Sequence, residues 1–320
     1  MFLHFSAAIL FLTNALVNGG EAAVVESDTK LEALKARVGK LAVENESVVL
    51  DALLRAGKNA DGILSALESS AGEERVGLAF LIANMPLRDL KELSGERLAE
   101  EVRLAYRARD GAPWKGSIPA DIFLNDVLAY ASLDEARDPW RKDFFDRFSA
   151  RAWACKSPGE AAVKLNSEIF REVNVQYHAT KRPKPNQSPA ESMKAGFASC
   201  TGLSVLLVDA CRACGIPARI AGIPAWKDGK GDAQGRHGGN HSWVEVWDGC
   251  WHYLGASEPS ELDKTWFSGK TQGPAVDAAI PIHRIYATSF RKTGVAYPLP
   301  WAPEIDWVSA VDVTRVYQAP

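Results

Sequence analysis

The sequence predicts an α+β protein, in which a helical N-terminal region precedes a domain where one apolar helix packs on an antiparallel sheet. Three observations carry this. Apolar residues recur at helical spacing from residue 29 to about 110, as in Leu31, Leu34, Val38 and Leu41. After Gly215 the period changes to two, with Ser242, Val244 and Val246 alternating against His241, Trp243, Glu245 and Trp247. Asp248-Gly249 then reads as a two-residue hairpin turn, and Trp251-His252-Tyr253-Leu254 as the return strand.

Read in order, residues Phe5 to Val17 form an apolar run too short to span a bilayer, followed by the small residues Gly19, Gly20, Ala22 and Ala23. A signal peptide over 1–22 is expected, and with it a secreted or periplasmic protein without a membrane span. Residues 23–155 form the helical region, with stretches at Val48 to Leu54, Val76 to Ala83, Leu98 to Tyr106 and, after Pro113, Gly116 and Pro119, Ile122 to Tyr130. No chemistry is visible there. Ser157-Pro158-Gly159-Glu160 and Ser188-Pro189-Ala190-Glu191 are capping boxes with proline in the first turn. The first opens a helix from about Ala161 to Val173; the second opens a short one that Gly196 stops, delivering the chain to Cys200. Thr201 to Ala213 suit a buried helix ended by Gly215 and Pro217. Trp226 to Asn240 is a glycine-rich polar loop, and residues 280–318 suggest further strands and loops.

Composition narrows the function. With 47% hydrophobic and 24% charged residues the chain is an ordinary globular protein. A net charge of -3 without runs of like charge gives no electrostatic footprint for nucleic acid. No Asp-x-Asp-x-Asp-Gly calcium loop is present, and Cys211 and Cys214 have no second Cys-x-x-Cys to complete a zinc site, so neither metal nor cofactor is expected. Those two cysteines lie three apart in a helical pattern and read as core thiols rather than a redox couple. The cysteine count is odd (Cys155, Cys200, Cys211, Cys214, Cys250), which in an exported protein implies a free thiol, with Cys200 the natural candidate.

Cys200 opens an apolar helix and His241 opens an alternating strand. A thiol is a useful nucleophile as thiolate, and a helix N-terminus and a nearby imidazole both favour that form. The cysteine at a helix start, then Gly215-Ile216-Pro217-Ala218-Arg219, then His241-Ser242-Trp243-Val244-Glu245-Val246 and a Trp251-initiated return strand, resembles the transglutaminase-like superfamily. The resemblance covers roughly residues 160 to 270. It implies a papain-like transglutaminase core (188–270 within a domain over 156–320), Cys200 as nucleophile and His241 as its base. Arg219 and Trp226 fit the family's surroundings as scaffold and cleft wall.

The family's aspartate after the return strand is missing, with Gly255 in its place. A two-residue turn would pair Trp247 with Cys250, Val244 with Tyr253 and His241 with Ala256, making Glu258 the diagonal neighbour of His241. Glu258 is therefore the expected third residue, with Asp263, or a Cys200–His241 dyad without a third residue, as the alternatives. Glu245 is assigned His252 as cross-strand neighbour and a structural role, and His237 is a solvated loop residue. The oxyanion hole should include the Cys200 backbone N–H, with Gln176 and Gln187 upstream as possible side-chain donors. The expected activity is acyl transfer on amide bonds of a peptide or protein substrate through a Cys200 thioester, hydrolysis ahead of transfer. The alternatives are a catalytically silent peptide- or glycan-binding module, favoured by Gly255, and a redox protein using Cys211 and Cys214.

Overall fold

The computed structural model describes residues 31–229 and 238–318. The predicted leader and His237 lie outside the described residues. Among the described residues, no helix is long and apolar enough to cross a membrane. The described residues divide into two compact units, one of residues 31–83 with 87–96, the other of residues 84–86 with the described residues from 97 to 318. The second unit thus takes in helices that the sequence reading groups with the N-terminal region.

The first unit is helical, with helices Glu46–Ala56, Ala60–Ser69 and Leu87–Glu92 around buried Leu53, Ile63, Leu64, Leu67 and Leu90. Asn59 donates to the carbonyls of Leu90 and Leu93, satisfying groups that a helix end leaves open.

The second unit is built on a five-stranded sheet in the order β5-β4-β3-β6-β7, every neighbouring pair antiparallel. Its strands are β3 (Ala218–Ile223), β4 (His241–Trp247), β5 (Trp251–Leu254), β6 (Tyr286–Thr288) and β7 (Ala310–Asp312). A separate parallel pair joins β1 (Gln176–Tyr177) to β2 (Phe197–Ala198) just before Cys200. Alternation along the strands divides two cores. Ile220, Val244, Val246 and Leu254 face the helix Cys200–Ala213, which is buried from Thr201 to Ala213. Ala221, Trp243, Tyr253 and Ala287 face an aromatic layer with Trp226, Phe267 and Tyr317. Cys211 and Cys214 are both buried, as the helical pattern predicts, and burial pushes both thiols up, which suits packing and not redox exchange.

Three local differences from the sequence reading have physical causes. The helix expected over Ile122 to Tyr130 ends at Asp126. The carbonyls beyond it turn to two buried guanidiniums: Arg141 takes Val127, Leu128 and Ala129, and Arg212 takes Asp126, Ala129 and Ala131. The β4–β5 hairpin has a three-residue loop, Asp248-Gly249-Cys250, so Trp247 pairs with Trp251 and Val244 with Leu254. Glu245 is therefore opposite Tyr253, and its carboxylate holds Arg219 at 2.6 Å and the Tyr317 hydroxyl at 2.8 Å in place of His252. The loop is longer because Asp248 is occupied elsewhere. Its carboxylate accepts from the Ser157 hydroxyl at 2.6 Å and the Gly159 N–H at 3.3 Å, at the start of helix Pro158–Glu172. Gly249 closes the loop at φ 83°, a left-handed conformation that glycine adopts without strain. Third, the Ser157 box is incomplete. Ser157 caps the Glu160 N–H, but Glu160 reaches the Lys156 N–H, whereas the box at Ser188 closes fully.

Asp248→Ala is expected to destabilise the second unit by about 1–2 kcal/mol, the typical cost of removing charge-assisted hydrogen bonds at a helix start. Urea unfolding of the full chain measures it, and an unchanged midpoint would show that the hairpin does not depend on this anchor.

Candidate active site

Cys200 occupies the first position of its helix and is half-buried, while every residue after it to Ala213 is buried. The chain reaches it through the left-handed Gly196 at φ 71° and the β1–β2 pairing, in which Gln176 N–H donates to Gly196 O and His178 N–H to Ala198 O. His241 begins β4. The residues that follow each of these two, Thr201 and Ser242, share a buried hydrogen bond of 3.2 Å between their hydroxyls. Neither hydroxyl stands out in the sequence, yet together they tie the start of the helix to the start of the strand.

A cavity of about 580 Å³ brings Cys200, His241 and Glu258 together, with Tyr177, Arg182 and Trp266 among its walls. Tyr177 and Trp266 are about 60% and 58% exposed, respectively, so the mouth is aromatic. The Cys200 thiol and the His241 ring are not hydrogen bonded to each other. His241 packs against Trp243, Trp266 and Phe267, at centroid distances of 5.8, 4.9 and 4.9 Å. Its Nε2 is sealed from solvent without a partner. Burial among these rings drives the imidazole down to about 4, so it is neutral at pH 7.

Glu258 reaches the cavity by a route other than the strand register. β5 ends at Leu254, and the chain turns tightly, with Glu258 N–H donating to Gly255 O and Ser257 at φ 63°. The observed register is shifted by one residue from the expected one, so the diagonal-neighbour argument for Glu258 fails; the turn brings it in instead. A Cβ at position 255 would collide with the Glu258 carboxylate. The glycine at the family's acid position is therefore what leaves room for this carboxylate. Glu258 accepts from Trp266 Nε1 at 3.0 Å and makes no hydrogen bond to His241. Desolvation raises its pKa, against the lowering effect of the Trp266 bond.

The turn is held by Asn166, which sequence reasoning missed. This buried side chain donates to Gly255 O and Glu258 O and accepts from the Ser257 N–H. The signal was an asparagine on the apolar face of a helix, between Ala162 and Ile169. The alternative acid, Asp263, does not line the cavity; its carboxylate bonds His252 at 2.6 Å. Gln176 and Gln187 do not line it either, and Gln187 spends its amide on the Phe197 carbonyl. Arg219 and Trp226, expected as scaffold and cleft wall, do not line the cavity; Arg219 stacks over Trp251 at 3.8 Å and Trp226 lies parallel to Trp243. Among the described residues no cluster of three or more His, Cys, Asp or Glu side chains is arranged to hold a metal ion.

Residues 147–267 match the model of the transglutaminase-like superfamily, a span that contains Cys200, His241 and Glu258. No curated protein matches the chain. A solved structure described as "a Putative Cysteine Protease from Cytophaga hutchinsonii" is similar at 18% identity, with 41% of this chain and 49% of that chain covered and a TM-score of 0.26. The chain thus spans about half the length of that protein, and the overlap is too low to add to the fold assignment.

The buried imidazole predicts a pH dependence of stability. The unfolded His241 titrates near 6.5 and the folded one near 4, so between these values the unfolded state binds more protons and stability falls as pH falls. From pH 7 to pH 4 this one group removes about 3 kcal/mol. His241→Gln should lose correspondingly less over the same range in denaturant unfolding, and parallel curves for the two proteins would show that the ring is solvated.

Proposed function

We propose, for a chain whose residues 147–267 form a transglutaminase-like core, that this is a cysteine-dependent acyl-transfer enzyme acting on amide bonds of peptides or protein side chains. The observation that carries the reading is the convergence of Cys200, His241 and Glu258 on one cavity, with the thiol at the N-terminus of a buried helix. Neutral His241 takes the thiol proton as Sγ attacks the amide carbonyl; the sealed Nε2 leaves Nδ1 for this exchange. The Cys200 backbone N–H, unpaired at the helix start, faces the developing oxyanion. The imidazolium then protonates the leaving amine, and the thioester passes to water. Hydrolysis is preferred to transfer on the absence of a calcium-loop motif from the sequence.

With Nδ1 as the accepting nitrogen, Nε2 carries the hydrogen of the neutral ring and finds no acceptor among the aromatics; imidazolium formation adds positive charge to this buried N–H, which is costly unless a carboxylate arrives. Glu258 supplies it by exchanging Trp266 for His241. The chain works outside the cytoplasm once residues 1–22 are removed. A second reading, a silent module that binds peptide or glycan between Tyr177 and Trp266, draws on the absent Cys200–His241 hydrogen bond.

Labelling by a peptide electrophile, mapped to the modified residue, separates the two. Cys200→Ala should abolish labelling at this site and His241→Ala should nearly do so at neutral pH. Glu258→Gln should slow it, by less than the roughly 10⁴-fold seen on loss of a serine-triad carboxylate, because a thiol ionises more readily. Trp266→Phe, which releases Glu258, should accelerate it. If Cys200 in the unsubstituted protein is no more reactive than a free thiol, the silent reading holds.

A further inference from the structure

A second constellation of nucleophile, imidazole and carboxylate lies on the β4–β5 hairpin. Cys250 is exposed, and its Sγ lies 3.3 Å from His252 Nε2. His252 Nδ1 lies 2.6 Å from Asp263 Oδ2. A carboxylate accepts only, so Nδ1 carries the hydrogen and Nε2 is left to accept from the thiol. Asp263 is fixed rather than incidental. Its other carboxylate oxygen accepts from the Tyr253 N–H at 2.9 Å, its own N–H donates to Tyr253 O at 3.0 Å, and it holds φ 62°. None of the three residues lines the Cys200 cavity. The arrangement also follows from the three-residue loop, since Cys250 is a loop residue two before His252 and so stands on the same side.

We propose that Cys250 is a thiol–disulfide exchange site that takes a mixed disulfide from a small exposed disulfide, with His252 as its base and Asp263 orienting the ring. The thiol proton passes to His252 Nε2 and the Cys250 sulfur attacks one sulfur of R–S–S–R. The S–S bond breaks, Cys250–S–S–R forms, and the departing thiolate takes the proton back from His252. One S–H and one S–S are consumed and one of each is formed, so no further oxidant is needed. Cys250 is exposed, which suits a small linear disulfide approaching from solvent.

Cystamine is the probe, and the cysteamine adduct on Cys250 is followed by mass spectrometry of the full chain at pH 7. The control is the free peptide of residues 248–253, which carries the same cysteine and histidine without the fold. Cys250 should react at least about threefold faster than the peptide, because His252 Nε2 is held 3.3 Å from Sγ, in place to take the thiol proton as the sulfur attacks. His252→Asn should bring the rate down to the peptide's. Asp263→Asn should lower it in part; asparagine tolerates the left-handed backbone, so the hairpin should persist. The comparison of the unsubstituted chain with the peptide does not depend on any variant folding. Cys250 reacting no faster than the peptide, or a fast rate that survives His252→Asn, overturns the proposal. Because the adduct is mapped by residue, the outcome at Cys250 is independent of what Cys200 does.

Discussion

The hydrogen bond between Thr201 and Ser242 joins two elements at the residues next to Cys200 and His241. Each hydroxyl is buried, so leaving either unpaired would cost about 1–3 kcal/mol. That cost fixes the start of the Cys200 helix against the start of β4. The helix cannot slide to compensate, because Thr201 to Ala213 are enclosed by the sheet on one side and by the helices Trp140–Ala152 and Pro158–Glu172 on others. Close packing of this kind has few alternative arrangements. Cys200 is the place where the enclosure opens.

The same helix is held at its far end by charge. Arg212 and Arg141 are both buried and spend their donors on backbone carbonyls of residues 126–131, with Glu101 on Arg141 at 2.7 Å. Asp209, one turn before Arg212, has neither carboxylate oxygen hydrogen bonded, and desolvation raises its pKa well above the usual range. The same desolvation favours its neutral form, which limits the cost of burying it.

Much of this was legible because it is local. The period of the Cys200 helix, the alternation of β4 and the serine caps are short-range patterns, and they predict the helix, the strand and the approach to Cys200. The third residue was harder. The two-residue turn assumed for the hairpin ignores that Asp248 caps a helix some 90 residues earlier, a partner no local pattern shows. The shifted register undoes the argument for Glu258, and the turn at 255–258, clamped by Asn166, returns it to the cavity by another route. Arg219, Glu245, Tyr317 and Trp243 form a chain of hydrogen bonds that links β3 and β4 to the helix Thr314–Tyr317, which sequence spacing could not reveal.

The cavity holds a buried imidazole whose Nε2 faces aromatic rings, beside a carboxylate turned towards Trp266. The proposed chemistry requires that pair to meet once charge develops on the ring. A crystal structure of the protein with a peptide aldehyde tests this most directly, because the hemithioacetal places an oxyanion where the tetrahedral intermediate would have one. The expected structure has a bond to Cys200 Sγ, the oxyanion on the Cys200 N–H, and the Glu258 carboxylate within hydrogen-bond distance of His241 Nε2. An adduct in which Glu258 still accepts from Trp266 while His241 Nε2 keeps no acceptor would contradict it.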